Sequence, residues 1–155
     1  MISGAVAGVE RAIELAKERG AKKAVMLHVS APFHSALMQP AQDRLAVLLD
    51  AIDFADPLMP IAVNADAKLV SVGQSARDAL IRQVTGAVLW VESIQLLIGE
   101  QPTHFIEVGP GRVLCGLMRQ IDRSQKCLHV EDSASLEKTL AALAVGESTD
   151  RGGVS

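Results

Sequence analysis

Apolar residues recur at Val6, Val9, Ile13 and Ala16, the i, i+3, i+7 spacing that turns one face of a helix toward a core. Glu10, Arg11, Glu14, Lys17 and Glu18 fill the opposite face, and Gly20 stands where a left-handed residue ends a helix. The run Ala24-Val25-Met26-Leu27-His28-Val29 then reads as a short buried strand. Pro32 biases Ala31 away from helical geometry, which makes 30–35 a loop. The next helix carries Leu45, Leu48, Leu49 and Ile52 on one stripe. It starts either with a turn capped by Ser35 that kinks at Pro40, or at Pro40 as its first residue.

Pro57 and Pro60 punctuate the connection into a strand at Ile61-Ala62-Val63-Asn64. Ser75 with Asp78 three residues on is a capping-box signature. It predicts a helix to about Val84 that buries Ala76, Ala79, Leu80 and Val84 and ends at Thr85-Gly86. A helix from Trp90 to about Ile98 leads to a strand over 104–108, closed by Gly109-Pro110-Gly111. Val113, Leu117 and Ile121 mark a helix, 127–130 a last strand, and Leu136, Leu140, Leu143 and Ala144 a last helix that frays from Gly146. Helices alternating with strands across short loops predict an α/β fold around a largely parallel sheet.

Composition narrows the function classes. The 155 residues are 49% hydrophobic and 21% charged, an ordinary soluble, globular balance. Aromatics are only 3% and the net charge is −3, so neither a stacking platform nor a positive field exists for nucleic acid. No apolar run approaches the roughly 20 residues of a membrane span, and the N-terminus lacks the pattern of a signal peptide. The expected location is the cytoplasm, where Cys115 and Cys127 are read as free thiols. No Cys/His spacing points to a metal.

His34 is the first candidate for chemistry, because it lies on a loop leaving a strand, and ligands in open α/β sheets bind beyond the carboxyl ends of strands. A lone histidine is more often a packing or surface residue. The segment 29–38, Val-Ser-Ala-Pro-Phe-His-Ser-Ala-Leu-Met, gives it context, as do Arg77-Asp78-Ala79-Leu80-Ile81-Arg82-Gln83-Val84 with Trp90 and Ser93, and Glu107-Val108-Gly109-Pro110-Gly111 with Val113, Leu114, Gly116 and Leu117. In order and spacing these blocks closely resemble the C-terminal half of bacterial malonyl-CoA:acyl-carrier-protein transacylases, a likeness running from Ile2 to about Leu143.

The resemblance implies a division at 1–29, the closing βαβ remnant of a ferredoxin-like subdomain, and 30–145, the C-terminal portion of a mostly parallel, hydrolase-like acyltransferase core. A disordered tail at 146–155 completes the expected division. It implies malonyl transfer to the pantetheine thiol of an acyl carrier protein, with malonyl-CoA and the carrier protein as substrates and partners and no bound cofactor. His34 matches the family's catalytic base, and Gln83 the residue whose main-chain carbonyl orients it. Such a carbonyl, lacking an intrahelical donor at a helix end, can hold Nδ1–H as aspartate does in a serine-protease triad, and the helix dipole there favours an imidazolium. The role belongs to the carbonyl, so replacing the Gln83 side chain is expected to matter little.

Phe33 resembles what malonyl-selective members carry and would crowd an α-methyl group, a discrimination of about 1–3 kcal/mol. Asn64, with Asp66, ends a strand in the family's position, where an amide lines the pocket; capping a turn is the ordinary alternative.

The nucleophile elbow G-x-S-x-G is absent. Gly73-Gln74-Ser75-Ala76-Arg77 lacks the second glycine, and Ser75 is read as a helix cap. The chain is therefore expected to be inactive alone, with apolar surface exposed. The alternative is an inactive fragment that at most docks an acidic carrier protein through Arg112, Arg119, Arg123 and Lys126. A dinucleotide site built on Gly109-Pro110-Gly111 and Glu131 fails at Leu114, which occupies the third glycine position.

Overall fold

The computed structural model describes residues 2–27 and 29–150. His28 of the expected strand and 151–155 of the expected tail lie outside them. The chain divides into two units, Met1–Leu96 and Leu97–Ser155.

The first unit opens with α1 (Val6–Glu18). Gly20, at φ +86°, closes it as the sequence predicts: its N–H donates to Lys17 O (3.0 Å) and that of Ala21 to Ala16 O (2.9 Å), the paired bonds of a Schellman cap. The run 24–29 corrects the sequence reading. Its described residues, 24–27 and 29, belong to no strand. Ala24 and Met26 line a cleft against Ile13 and Lys17 of α1, whereas Val25, Leu27 and Val29 are about three-fifths exposed, at 60%, 59% and 63%. Strand patterning is present, but a strand forms only where a neighbour supplies hydrogen bonds.

Each of the two proposed helix starts after the loop is met only in part, since a short turn does follow Ser35 but the helix begins at Gln39, one residue before Pro40. A 3₁₀ turn, Ala36–Met38, leads directly into α2 (Gln39–Asp50), with Pro40 in its first turn where a missing N–H costs nothing. Ser35 does not cap it with its side chain; its hydroxyl donates to Pro32 O at 2.7 Å. Leu48 and Ile52 of the expected buried stripe are exposed.

β1 (Ile61–Val63) folds back on β2 (Lys68–Val70) as an antiparallel hairpin with Ile61 opposite Val70. The sequence reading did not foresee this antiparallel hairpin, since β2 is too short to show a period and its turn uses Ala67 at φ +49° in place of a glycine. α3 (Gly73–Gln83) begins two residues before Ser75, which therefore does not cap it. Asp56 does so from a distant loop, accepting the Gly73 N–H at 2.8 Å. Ala79 is buried as expected, but Leu80 is exposed. α4 (Trp90–Gly99) buries Ser93 and Ile94.

In the second unit β3 (Phe105–Val108) and β4 (Cys127–Val130) are parallel, Phe105 opposite Cys127, and α5 (Val113–Ile121) makes the crossover between them. Cys115 and Met118 form the buried face of α5, while the expected Val113 and Leu117 are exposed. The free-thiol reading is overturned: α5 packs on β4 with the Cα atoms of Cys115 and Cys127 5.6 Å apart, and a disulfide joins them. α6 (Ser133–Asp150) buries Ser135 and Thr139, leaves Leu136 and Leu140 exposed, and continues past the expected boundary at 146.

Candidate functional site

The loop before α2 folds on itself: Phe33 N–H donates to Ala31 O (2.9 Å) and Met38 N–H to Ser35 O (3.0 Å). This places His34 at φ +59°, a left-handed conformation uncommon outside glycine and asparagine. The imidazole meets the C-terminus of α3. Its Nδ1 lies 3.0 Å from Gln83 O and 3.1 Å from Gly86 O. Both of these partners are carbonyls and can only accept, so they favour the tautomer with the proton on Nδ1 and a free lone pair on Nε2; the Gln83 side-chain amide also lies 3.4 Å from Nδ1. His34 is exposed. The expected pairing of His34 with Gln83 is thus present in the geometry.

Gly86 is the partner that sequence reasoning missed. Its N–H returns to Arg82 O at 2.9 Å, which swings its own carbonyl toward His34. A Cβ on residue 86 would lie 2.8 Å from Arg82 O, so this approach requires glycine. The recoverable signal was the glycine itself, read only as a helix terminator. The Gln83 side-chain amide also lies 3.5 Å from Gly86 O and 3.4 Å from Ala87 O. Thr85 Oγ1 donates to Gln42 Oε1 on α2 at 2.6 Å.

Phe33 is half-exposed beside His34 in sequence. Asn64 acts here through its main chain, its carbonyl accepting the Leu89 N–H at 3.1 Å. Asp66 forms an ion pair with Arg82.

In the second unit the Glu107-to-Gly111 segment is organised by carboxylates. Glu107 accepts the N–H groups of Leu114 (3.0 Å) and Cys115 (2.8 Å), and Glu131 accepts that of Gly111 (2.9 Å). The Cys115 N–H foremost, then that of Leu114 and the His129 charge, hold the Glu107 carboxyl below the ordinary range. Glu107 occupies the amides at the start of α5 where a pyrophosphate would sit, which removes the dinucleotide alternative. Three of the four basic residues singled out from sequence, Arg119, Arg123 and Lys126, line one cleft of about 670 Å³ with His104 and Gln125; Arg112 is not among its lining residues. No helix among the described residues is long and apolar enough to cross a membrane.

No family model matches the chain. It is 44% identical over 143 residues to the malonyl CoA-acyl carrier protein transacylase of Bacillus subtilis, covering 92% of this chain and 45% of that protein. The crystal structure of the acyl-carrier-protein S-malonyltransferase of Burkholderia pseudomallei matches with a TM-score of 0.84 at 46% identity, over 89% of this chain and 45% of its own. A malonyl-transacylase solved in complex with its type II PKS acyl-carrier protein matches with a TM-score of 0.85 at 40% identity, over 90% and 45%. The chain therefore has the α/β fold of these transferases over the stretch it spans, which is slightly under half of their length.

Proposed function

Because the chain belongs, over the stretch it spans, to the malonyl CoA-acyl carrier protein transacylase family, we propose that it supplies the base of a serine–histidine acyl transfer. The transfer moves malonate from malonyl-CoA to the pantetheine thiol of an acyl carrier protein. The observation that carries this reading is the pairing of His34 Nδ1 with two main-chain carbonyls, which leaves Nε2 as a proton acceptor. Nε2 takes the proton of a serine hydroxyl as that oxygen bonds to the thioester carbon. The imidazolium returns the proton to the departing CoA thiolate. In the second half the pantetheine thiol gives Nε2 its proton and attacks the serine ester, and the serine oxygen leaves with that proton.

The sequence contains no G-x-S-x-G, so the serine belongs to the larger part of the relatives' length that has no counterpart here. Phe33 is assigned to excluding an α-methyl group and Asn64 to the pocket wall. Residues 1–29 are assigned to the close of a ferredoxin-like subdomain and 30–145 to the acyltransferase core, of which this chain is the C-terminal portion. A cytoplasmic location is part of the proposal.

Intact-protein mass spectrometry after incubation with malonyl-CoA tests the reading. The chain alone should gain no malonyl group. The chain preceded by the N-terminal half of the Bacillus subtilis relative should gain one, and His34→Ala should abolish the gain. An adduct on the isolated chain would refute the division of labour.

A second reading is favoured by the cleft of Arg119, Arg123 and Lys126, in which the chain only docks an acidic carrier protein. That reading expects salt-sensitive binding of holo carrier protein and no adduct on the joined chain.

A further inference from the structure

Of the two carbonyls that hold His34, that of Gln83 ends α3 and that of Gly86 lies on the loop that follows, 84–89. Both ends of this loop are held by one element, the β1–β2 turn. At the near end Asp66 pairs with the Arg82 guanidinium, and Arg82 is the residue whose carbonyl accepts the Gly86 N–H and whose C-terminal neighbour supplies the Gln83 carbonyl. At the far end the Asn64 carbonyl accepts the Leu89 N–H at 3.1 Å. The hairpin turn therefore spans the loop as a bracket, with Thr85 to Gln42 as a third tie at its middle.

We propose that Asp66 is a positioning residue for the His34 base: through Arg82 it fixes the turn that presents both carbonyls to Nδ1, and so fixes the tautomer. This rests on the reading of His34 as the base. The Arg82 and Asp66 side chains are 52% and 34% exposed, so their ion pair adds little to stability. Its consequence is geometric. Releasing Arg82 lets the 82–86 turn open, the Gly86 carbonyl withdraws, and Nδ1–H is left with one acceptor.

The test is ¹⁵N NMR of the imidazole in the full chain at a pH where His34 is neutral. The wild-type ring should carry its proton on Nδ1. Asp66→Asn should raise the Nε2–H share about fivefold, the factor expected for one weakened neutral hydrogen bond, with an unchanged far-UV spectrum. The exchanged pair Asp66→Arg with Arg82→Asp should restore the wild-type signature, which a merely structural disturbance would not do. Should Asp66→Asn fail to fold, Arg82→Gln breaks the same pair from its other side, with the same expectation. A folded Asp66→Asn or Arg82→Gln protein whose His34 spectrum is unchanged overturns the positioning role. A wild-type ring already protonated on Nε2 overturns the base reading itself, and the two failures are separable in one spectrum.

Discussion

The N-terminus of α3 meets the segment 54–56 so closely that a methyl group decides whether the first unit holds together. A Cβ built on Gly73 would lie 2.5 Å from Ala55 O and 2.7 Å from the Phe54 carbonyl carbon, well inside the roughly 3.5 Å of an ordinary contact. These neighbours are backbone atoms, and Asp56 holds them in place through its 2.8 Å bond from the Gly73 N–H, so nothing flexible can give way. Gly73→Ala is therefore expected near the upper end of overpacking costs, about 3 kcal/mol. Gly8 supplies an internal control. It lies within α1, and a Cβ there meets nothing within 4 Å, so Gly8→Ala should stabilise by about 0.5–1 kcal/mol through lost chain freedom in the unfolded state. The same chemical change thus has opposite signs at two positions in one unit. That unit also holds Trp90, the single tryptophan, so urea unfolding followed by tryptophan fluorescence reads both. With a slope of about 1–2 kcal/mol per molar urea, the midpoints should differ by about 2 M or more. If Gly73→Ala alone leaves too little folded protein, the substitution is made in the Gly8→Ala background. A Gly73→Ala midpoint equal to that of wild type would show that the 54–56 segment yields, and the close-approach argument would be wrong.

Reducing the Cys115–Cys127 disulfide opens a ring whose ends are 12 residues apart, which should cost about 3 kcal/mol. Dithiothreitol should lower the urea midpoint read by circular dichroism, and Cys115→Ala/Cys127→Ala should be insensitive to it. Glu107 and Asp132 both titrate below ordinary carboxylates, Glu107 through the Cys115 N–H first and Asp132 through the Ser135 N–H first. Their stabilising contribution is thus complete above the unfolded values near about 4 and is lost as the pH falls through the depressed folded values. Urea midpoints should be flat from about pH 7 to 5 and decline below about pH 4; a midpoint still flat at about pH 3 would contradict this assignment. Gly86→Ala should cost about 1–3 kcal/mol, because its Cβ meets Arg82 O at 2.8 Å. It should also shift His34 toward the Nε2–H form in ¹⁵N NMR, and an unchanged ring would remove the Gly86 carbonyl from the site.

Helices were legible wherever a period and a local stop signal coincided. α1 with Gly20 and α4 from Trp90 follow the sequence closely for that reason. What escaped depends on partners distant in the chain. The cap of α3 comes from Asp56, 17 residues upstream of Gly73, while the nearby Ser75 and Asp78 imitate a capping box three residues past the N-cap position at Val72. The run 24–29 has strand chemistry but no strand beside it among the described residues. The disulfide required knowing that α5 lies on β4. Apolar periodicity named Val113 and Leu117 as the inner face of α5, yet Cys115 and Met118 are buried, because the covered side of a helix depends on what it packs against. At the site, His34 and Gln83 were legible through resemblance. Gly86 and the Asp66–Arg82 pair were not, since their contributions reside in a turn's shape.

The groups that orient His34 are peptide oxygens, and every residue type carries a peptide oxygen. A saturation screen would therefore record an intolerant histidine and a demand for glycine at 86 but no acidic partner, and a geneticist would find no triad where the structure holds a coupled set. The orienting function is recorded in helix length and loop closure. Insertions and deletions between Arg82 and Trp90, or replacement of the amide by a backbone ester, are the lesions that would reveal it.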